Sequence, residues 1–182
     1  MFDGKMLGQL SGKTVRKDID SPVGSLTLLA SDKGLQAVLW ETHRELMGDA
    51  LGLAMGDTGH SVIAEVERQL GEYFAGDRTT FDVPLDLQGT DFQQRVWAQL
   101  LAIPYGETWS YGDLARSLGD PHMAQAVGAA NGNNPISIIV PCHRVVGMSG
   151  ALTGYAGGID VKAKLLALES KNSEVGQMAL FA

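Results

Sequence analysis

The hydrophobic period of this chain changes partway along it, and that change limits what it can fold into. Up to residue 40, short β-compatible runs (residues 13–20, 25–30 and 35–40) alternate with turns at Ser21-Pro22-Val23-Gly24 and Ser31-Asp32-Lys33-Gly34. From Thr90 onward the apolar residues recur with a helical period. Between the two regimes, Val83-Pro84-Leu85-Asp86-Leu87-Gln88-Gly89 reads as a linker or edge segment. The boundary is placed there. Residues 1–87 form an α/β unit that opens as a β-meander, and residues 88–182 form a mainly helical unit. Each is long enough to bury a core.

The remaining elements follow from local chemistry. Residues 49–60 are Gly-rich and read as a loop. Ser61–Ala75 reads as an amphipathic helix with Val62, Val66, Leu70 and Phe74 on its inner stripe. Thr90-Asp91-Phe92-Gln93 is a capping box that opens a helix to about residue 102, burying Phe92, Val96, Trp97, Leu100 and Leu101. Ile103-Pro104-Tyr105-Gly106 stops it. Ser110 caps a short helix over 111–118, Gly119-Asp120-Pro121 breaks the chain, and Pro121 suits the first turn of a helix reaching about residue 130. Two short helices joined in this way form either a helix-turn-helix or a plain packing hairpin. The second helix is nearly bare at Ala126, Gly128, Ala129 and Ala130, so its backbone can approach a groove or another helix closely. A last helix over 160–169 turns Val161, Leu165, Leu166 and Leu168 inward.

A single cysteine, Cys142, ends the apolar, strand-like run Ile138-Ile139-Val140-Pro141 and is followed directly by His143. A lone thiol in such a place is either a small buried filler or a nucleophile, and it is a nucleophile only as thiolate. One cysteine forms no internal disulfide, so a reducing cytoplasm is the expected compartment. The polar start and the absence of any long apolar run predict neither a signal peptide nor a membrane span. His43, His60, His122 and His143 are scattered without ligand spacing, and neither metal nor cofactor is expected. Net charge is −7 but unevenly spread. Residues 1–87 carry eight Lys/Arg against fourteen Asp/Glu, whereas residues 88–171 carry six of each. The half that holds Cys142 is therefore neutral, which permits nucleic-acid binding with a modest salt dependence.

The C-terminal motifs, taken together, resemble a known family. They are Ala126-Val127-Gly128-Ala129-Ala130-Asn131, Asn134-Pro135, Pro141-Cys142-His143-Arg144-Val145-Val146, Gly154-Tyr155-Ala156-Gly157-Gly158, and Lys162 with Leu165-Leu166 and Glu169. They resemble the O6-alkylguanine-DNA alkyltransferases, the methylated-DNA–protein-cysteine methyltransferases, without a break over residues 90–170. The N-terminal half resembles the family only in its order of elements. The resemblance implies an α/β N-terminal domain with a ribonuclease-H-like sheet and a C-terminal helix-turn-helix (winged-helix-like) domain. It implies a monomer that acts on double-stranded DNA containing O6-alkylguanine.

The same resemblance implies chemistry and roles. Cys142 takes the alkyl group from guanine O6 by in-line displacement and is consumed. His143 accepts the thiol proton through a water, and Glu169 holds the imidazole. Tyr111 donates to the guanine ring nitrogen and presses on a phosphate. Asn134 pins the turn that carries the active strand. Gln125, Ala126, Gly128, Ala129, Asn131, Arg144 and Tyr111 are expected on the DNA side. Val145, Gly154, Tyr155, Ala156 and Gly157 are expected around the base, which must be flipped out of the duplex. Read without the resemblance, Tyr111 is equally a core residue, Glu169 a solvated helix residue and Asn134 a turn residue.

Two positions depart from the family pattern. Gln125 stands where an arginine fills the vacated stack, and it lacks the charge and the guanidinium plane. Ala156 stands where some members have a serine, leaving a backbone N–H to serve O6 alone. The alternative reading is a non-catalytic sensor of alkylated DNA built on the same scaffold, against which Cys142 and Glu169 both argue. A Cys–His hydrolase is a third reading, without a recognisable oxyanion motif.

Overall fold

The structure is a computed structural model that describes residues 13–43, 55–56 and 59–179, with the backbone alone described at 55–56 and 174–179. The meander forms as expected. Strands β1 (Val15–Ile19), β2 (Leu26–Ser31) and β3 (Gly34–Trp40) pair antiparallel, with Val15 opposite Ala30, Ile19 opposite Leu26, and Leu26 opposite Trp40. A two-residue strand β4 (Met55–Gly56) joins β1 in parallel, giving the order β3-β2-β1-β4. It lies inside the segment read as a loop; two residues carry too little pattern to be seen. The rest of that segment, apart from residues 59–60, lies outside the described residues.

Helix α1 (Ser61–Ala75) covers one face of the sheet with the expected bounds, but it is rotated. Ile63, Val66, Gln69, Leu70 and Tyr73 are buried, whereas Val62 and Phe74 are half-buried. The buried Gln69 is satisfied by both backbone groups of Asp82: its amide nitrogen donates to Asp82 O at 3.0 Å and its oxygen accepts from Asp82 N at 2.9 Å. A polar group survives burial only with such partners.

The segment after α1 is an edge cover for β3. Leu35 N donates to Pro84 O and Asp86 N donates to Leu35 O, both at 2.8 Å. The Asp86 carboxylate accepts from Ser31 and Gln36. Further along the same edge, Val38 N donates to Pro135 O at 2.9 Å, and Val38 pairs with Ile136. The free edge of the N-terminal sheet is thus closed partly by the segment that carries Cys142.

In the C-terminal half, helix α2 (Asp91–Leu100) starts with the complete Thr90–Gln93 capping box. Leu101 caps its C-terminus and is 48% exposed, so the inner stripe stops at Leu100. Strand β5 (Trp109–Ser110) leads into helix α3 (Tyr111–Ser117), which Ser110 caps. Pro121–Met123 forms a 3₁₀ turn ahead of helix α4 (Ala124–Gly132). Trp97, fully buried on α2, donates from Nε1 to Ala130 O at 2.9 Å and seats α4 in the core. Strand β6 (Val145–Val146) pairs in parallel with β5, and helix α5 (Ile159–Ala179) closes the fold. The helix is longer than the 160–169 span expected for it. Its inward stripe is Lys162, Leu165 and Glu169; Val161, Leu166 and Leu168 are only half-buried.

Candidate functional site

The strand expected to carry Cys142 does not form. Residues 136–141 make a compressed turn in which Ile139 N donates to Ser137 O and Cys142 N to Val140 O. Ile138 is buried with φ of 73°, a left-handed conformation that a β-branched residue adopts only where its surroundings force it. Asn134 supplies the force. Its Nδ2 donates to Val140 O at 2.8 Å and its Oδ1 accepts from Ile136 N at 3.0 Å, so one side chain ties both ends of the turn.

Cys142 then opens a 3₁₀ turn, Cys142–Arg144. Three residues per turn let neighbouring side chains leave the backbone without the two-face alternation of a strand. Cys142 is 5% exposed. Burial pushes its thiol up to about 11, against hydrogen bonding from Asn134 and the charge of Lys162. The resting thiol is therefore neutral, and it is a nucleophile only when a base removes its proton.

His143 is fully buried. Its Nε2 lies 2.8 Å from Glu169 Oε1, and its Nδ1 is buried with no partner. Burial pushes the Glu169 carboxyl up, but the bonds from His143 and Arg144 prevail and hold it at about 2. A carboxylate only accepts, so Nε2 carries the ring hydrogen and Nδ1 presents a lone pair. Burial lowers the imidazole's proton affinity, although Glu169 opposes this. His143 is thus neutral at rest with one acceptor open.

Glu169 holds more partners than its expected pairing with His143. Oε1 accepts from His143, from the Tyr73 hydroxyl at 2.8 Å and from Arg144 Nη2 at 3.0 Å. Oε2 accepts from Arg144 Nε at 2.9 Å and Gly106 N at 3.2 Å. Arg144 also donates from Nη1 to Ile103 O at 2.6 Å and is 7% exposed. This corrects its expected place on the DNA side. A buried carboxylate needs a buried cation, and the residue after His143 is the one within reach. Gly106, at φ 78°, brings its N–H to the carboxylate; a Cβ there would lie 2.0 Å from Ser173 Oγ.

Lys162 is a second buried cation. Its Nζ donates to Val145 O at 2.6 Å and Thr153 O at 2.9 Å, tying β6 to the following loop. Val145, expected to meet the base edge, is buried with its carbonyl already engaged. In the sequence neither Tyr73 nor Lys162 carries a recognisable role. The periodicity of α5 held the signal for Lys162, since positions 162, 165 and 169 fall on one helical face. Nothing local marks Tyr73, which lies 96 residues from Glu169.

Beside this network is a cleft of about 530 Å³, lined by Thr42, His43, Tyr111, Gly128, Asn131, Gly132 and residues 153–156. Tyr155 links the two regions. It lines the cleft, its ring meets His143 edge-on at 6.4 Å between centroids, and its hydroxyl is buried without a partner. Its other neighbour is Trp40, at 5.7 Å. Gly157 is needed here, because a Cβ would come within 2.8 Å of the Trp40 ring. Tyr111 accepts from Thr153 Oγ1 at 3.2 Å, and Ala156 O accepts from Thr42 at 3.3 Å. Gln125, Ala126 and Ala129 are exposed on α4 and Gly128 is half-buried. Asn131, expected with them, is 4% exposed and turned into the cleft wall, its Oδ1 without a partner.

The model of the 6-O-methylguanine DNA methyltransferase ribonuclease-like domain matches residues 15–87, and that of the DNA-binding domain of the same family matches residues 91–171. A methylated-DNA–protein-cysteine methyltransferase of Mycobacterium tuberculosis is 50% identical over 170 residues, covering 91% of this chain and 97% of its own length. One of Mycolicibacterium paratuberculosis is 49% identical over 161 residues, covering 86% and 93%. The crystal structure of the Mycobacterium tuberculosis O6-methylguanine methyltransferase superposes with a TM-score of 0.76 at 50% identity over 87% of this chain and 94% of that one. The crystal structure of the Mycobacterium tuberculosis protein in complex with DNA gives 0.74 at 51% identity, over 86% and 93%. With both domain models matched in order and half of all aligned residues identical, the chain belongs to the 6-O-methylguanine DNA methyltransferase family.

Proposed function

We propose that this protein repairs DNA by direct reversal, taking a methyl or other alkyl group from guanine O6 onto Cys142 in one irreversible turnover. The observation that carries this reading is the buried Cys142–His143–Glu169 series, in which His143, the residue after a neutral thiol, keeps Nδ1 as an unpartnered acceptor. The alkylated base leaves the stack and enters the cleft between α4 and residues 153–156. As sulfur attacks the alkyl carbon in line, the S–C bond forms and the C–O6 bond breaks. The thiol proton passes to His143 Nδ1, directly or through a water. The new imidazolium faces Glu169, an anion already in place. The leaving guanine gains a proton at its ring nitrogen from the Tyr111 hydroxyl, so the base leaves neutral; the phenolate regains a proton from solvent, to which the imidazolium in turn yields the thiol's proton. Asn134 holds the turn that aims the sulfur, and the side of α4 that carries the exposed Gln125, Ala126 and Ala129 and the half-buried Gly128 meets the duplex. The single thiol belongs in a reducing cytoplasm.

Intact mass after incubation with duplex DNA containing O6-methylguanine tests the reading. A gain of one methylene, mapped to Cys142, is expected. Methanol released from unchanged protein makes the site a hydrolase, and tight binding without mass change makes it a sensor.

A further inference from the structure

The hydroxyl of Tyr73 has no packing task. Its ring already sits among Phe74, Phe81 and Tyr105, at 5.4, 5.4 and 6.1 Å between centroids, and phenylalanine would fill that space equally well. A buried hydroxyl costs stability unless it is used. This one donates to Glu169 Oε1, an oxygen that His143 and Arg144 already satisfy. The donor also comes from the other domain, since Tyr73 lies on α1, against the N-terminal sheet.

We propose that Tyr73 is a positioning residue for alkyl transfer: it fixes Glu169 Oε1 against His143 and thereby sets how strongly that imidazole takes the Cys142 proton. The inference rests on the proton path given above. Through this bond the ribonuclease-like domain takes part in the chemistry of the other domain as well as in its folding.

The sign follows from where the charge sits. Each donor to Oε1 draws negative charge away from the bond to His143. Removing the Tyr73 O–H concentrates charge on Oε1, stabilises the imidazolium and raises the proton affinity of His143. The other groups facing the pair stay in place: Arg144 and Cys142 from the 3₁₀ turn, Lys162 from α5, Tyr155 from the cleft wall, and Tyr105 beside Arg144. Arg144 and Lys162 oppose the imidazolium in the native protein and in the variant alike.

The test is the pH–rate profile of methyl transfer from duplex DNA by the full chain. In Tyr73→Phe the acid limb is expected to move to higher pH by roughly half a unit or more, the shift a lost hydrogen bond to a neighbouring charge produces. Val66→Ala weakens the same helix without reaching Glu169; it is expected to lower the melting temperature and leave the limb in place. In His143→Ala the limb is expected to vanish with most of the rate. A limb that persists in His143→Ala overturns the proton path and this inference with it. A limb lost there but unmoved in Tyr73→Phe overturns the role of Tyr73 alone. The ¹⁵N titration of His143 in Tyr73→Phe reads the same shift without turnover, and an unmoved midpoint also sinks the proposal.

Discussion

Behind Cys142 and in front of it, this protein is built from opposite materials. Behind the thiol, Tyr73, His143, Arg144, Lys162 and Glu169 are all buried, and the Glu169 carboxylate alone accepts bonds from four residues. In front, α4 exposes Gln125, Ala126 and Ala129, and Gly128 beside them has no side chain. The back region settles its charges before any DNA arrives, so a change there is felt as an unpaired group in low dielectric. The front offers backbone and small side chains, so a change there adjusts fit and field by degrees. Chemistry and recognition in this chain should therefore fail differently, abruptly behind the thiol and gradually in front of it.

The sharpest division comes from the thiol. Cys142→Ser is expected to abolish transfer, because a hydroxyl beside a neutral imidazole is far less acidic than a thiol. Duplex binding, measured by gel shift, is expected to survive, since a 5% exposed side chain contributes almost nothing to an interface. A serine variant that gains a methylene at a comparable rate would remove the back region from the chemistry.

Next in size is the ion pair. Arg144→Ala leaves Glu169 buried without its cation, which costs about 3–5 kcal/mol, read as a lower urea midpoint. The pH dependence carries a sign. The native carboxyl titrates at about 2, against 4.5 as the ordinary value, so it adds stability above pH 4.5 that is lost as pH falls toward 2. In Arg144→Ala the carboxyl rises and the acid loss begins at higher pH. An unchanged acid midpoint would mean that His143, Tyr73 and Gly106 hold Glu169 alone.

Alkylation itself is a smaller blow to the same region. A methyl on Cys142 enlarges a packed side chain, a change that typically costs about 1–3 kcal/mol. The alkylated protein should melt below the free one, and an equal or higher melting temperature would show slack around the sulfur.

The front gives the smallest effect. Gln125→Arg should speed transfer on duplex DNA and steepen the logarithmic salt slope by about 0.9 for one added phosphate contact. Reaction with free O6-benzylguanine should hardly change, because no base is flipped there. An unchanged duplex-to-free-base ratio would mean that Gln125 already fills the vacated stack.

Local sequence was enough for everything that rests on neighbours a few residues apart. The meander, the Thr90 and Ser110 caps and the bounds of α1 are of this kind, because turn residues and capping boxes act over three or four positions. The hold of Asn134 on the active turn came from the resemblance alone: read locally it is a turn residue, although its partners lie only two and six residues away. Where Cys142 follows Ile138-Ile139-Val140, local pattern misleads, since an apolar run of this length suits a strand. Asn134 and the covered edge of β3 bend it into a turn instead.

The rest comes from contacts between distant parts of the chain. Arg144 looks like a surface cation in sequence because arginine usually is one, and only the placement of Glu169 across the core turns it inward. The rotation of α1, which buries Gln69 and Tyr73 and leaves Val62 and Phe74 half-exposed, is set by what lies opposite: the Asp82 backbone and the Glu169 carboxylate. Most of the elements and the family are written in periodicity and in contiguous motifs, which act over neighbouring residues. The charge state of the site was decided by the fold alone, because a buried carboxylate takes its character from donors gathered from distant parts of the chain. Tyr73 lies 96 residues from Glu169, and no local pattern encodes that distance.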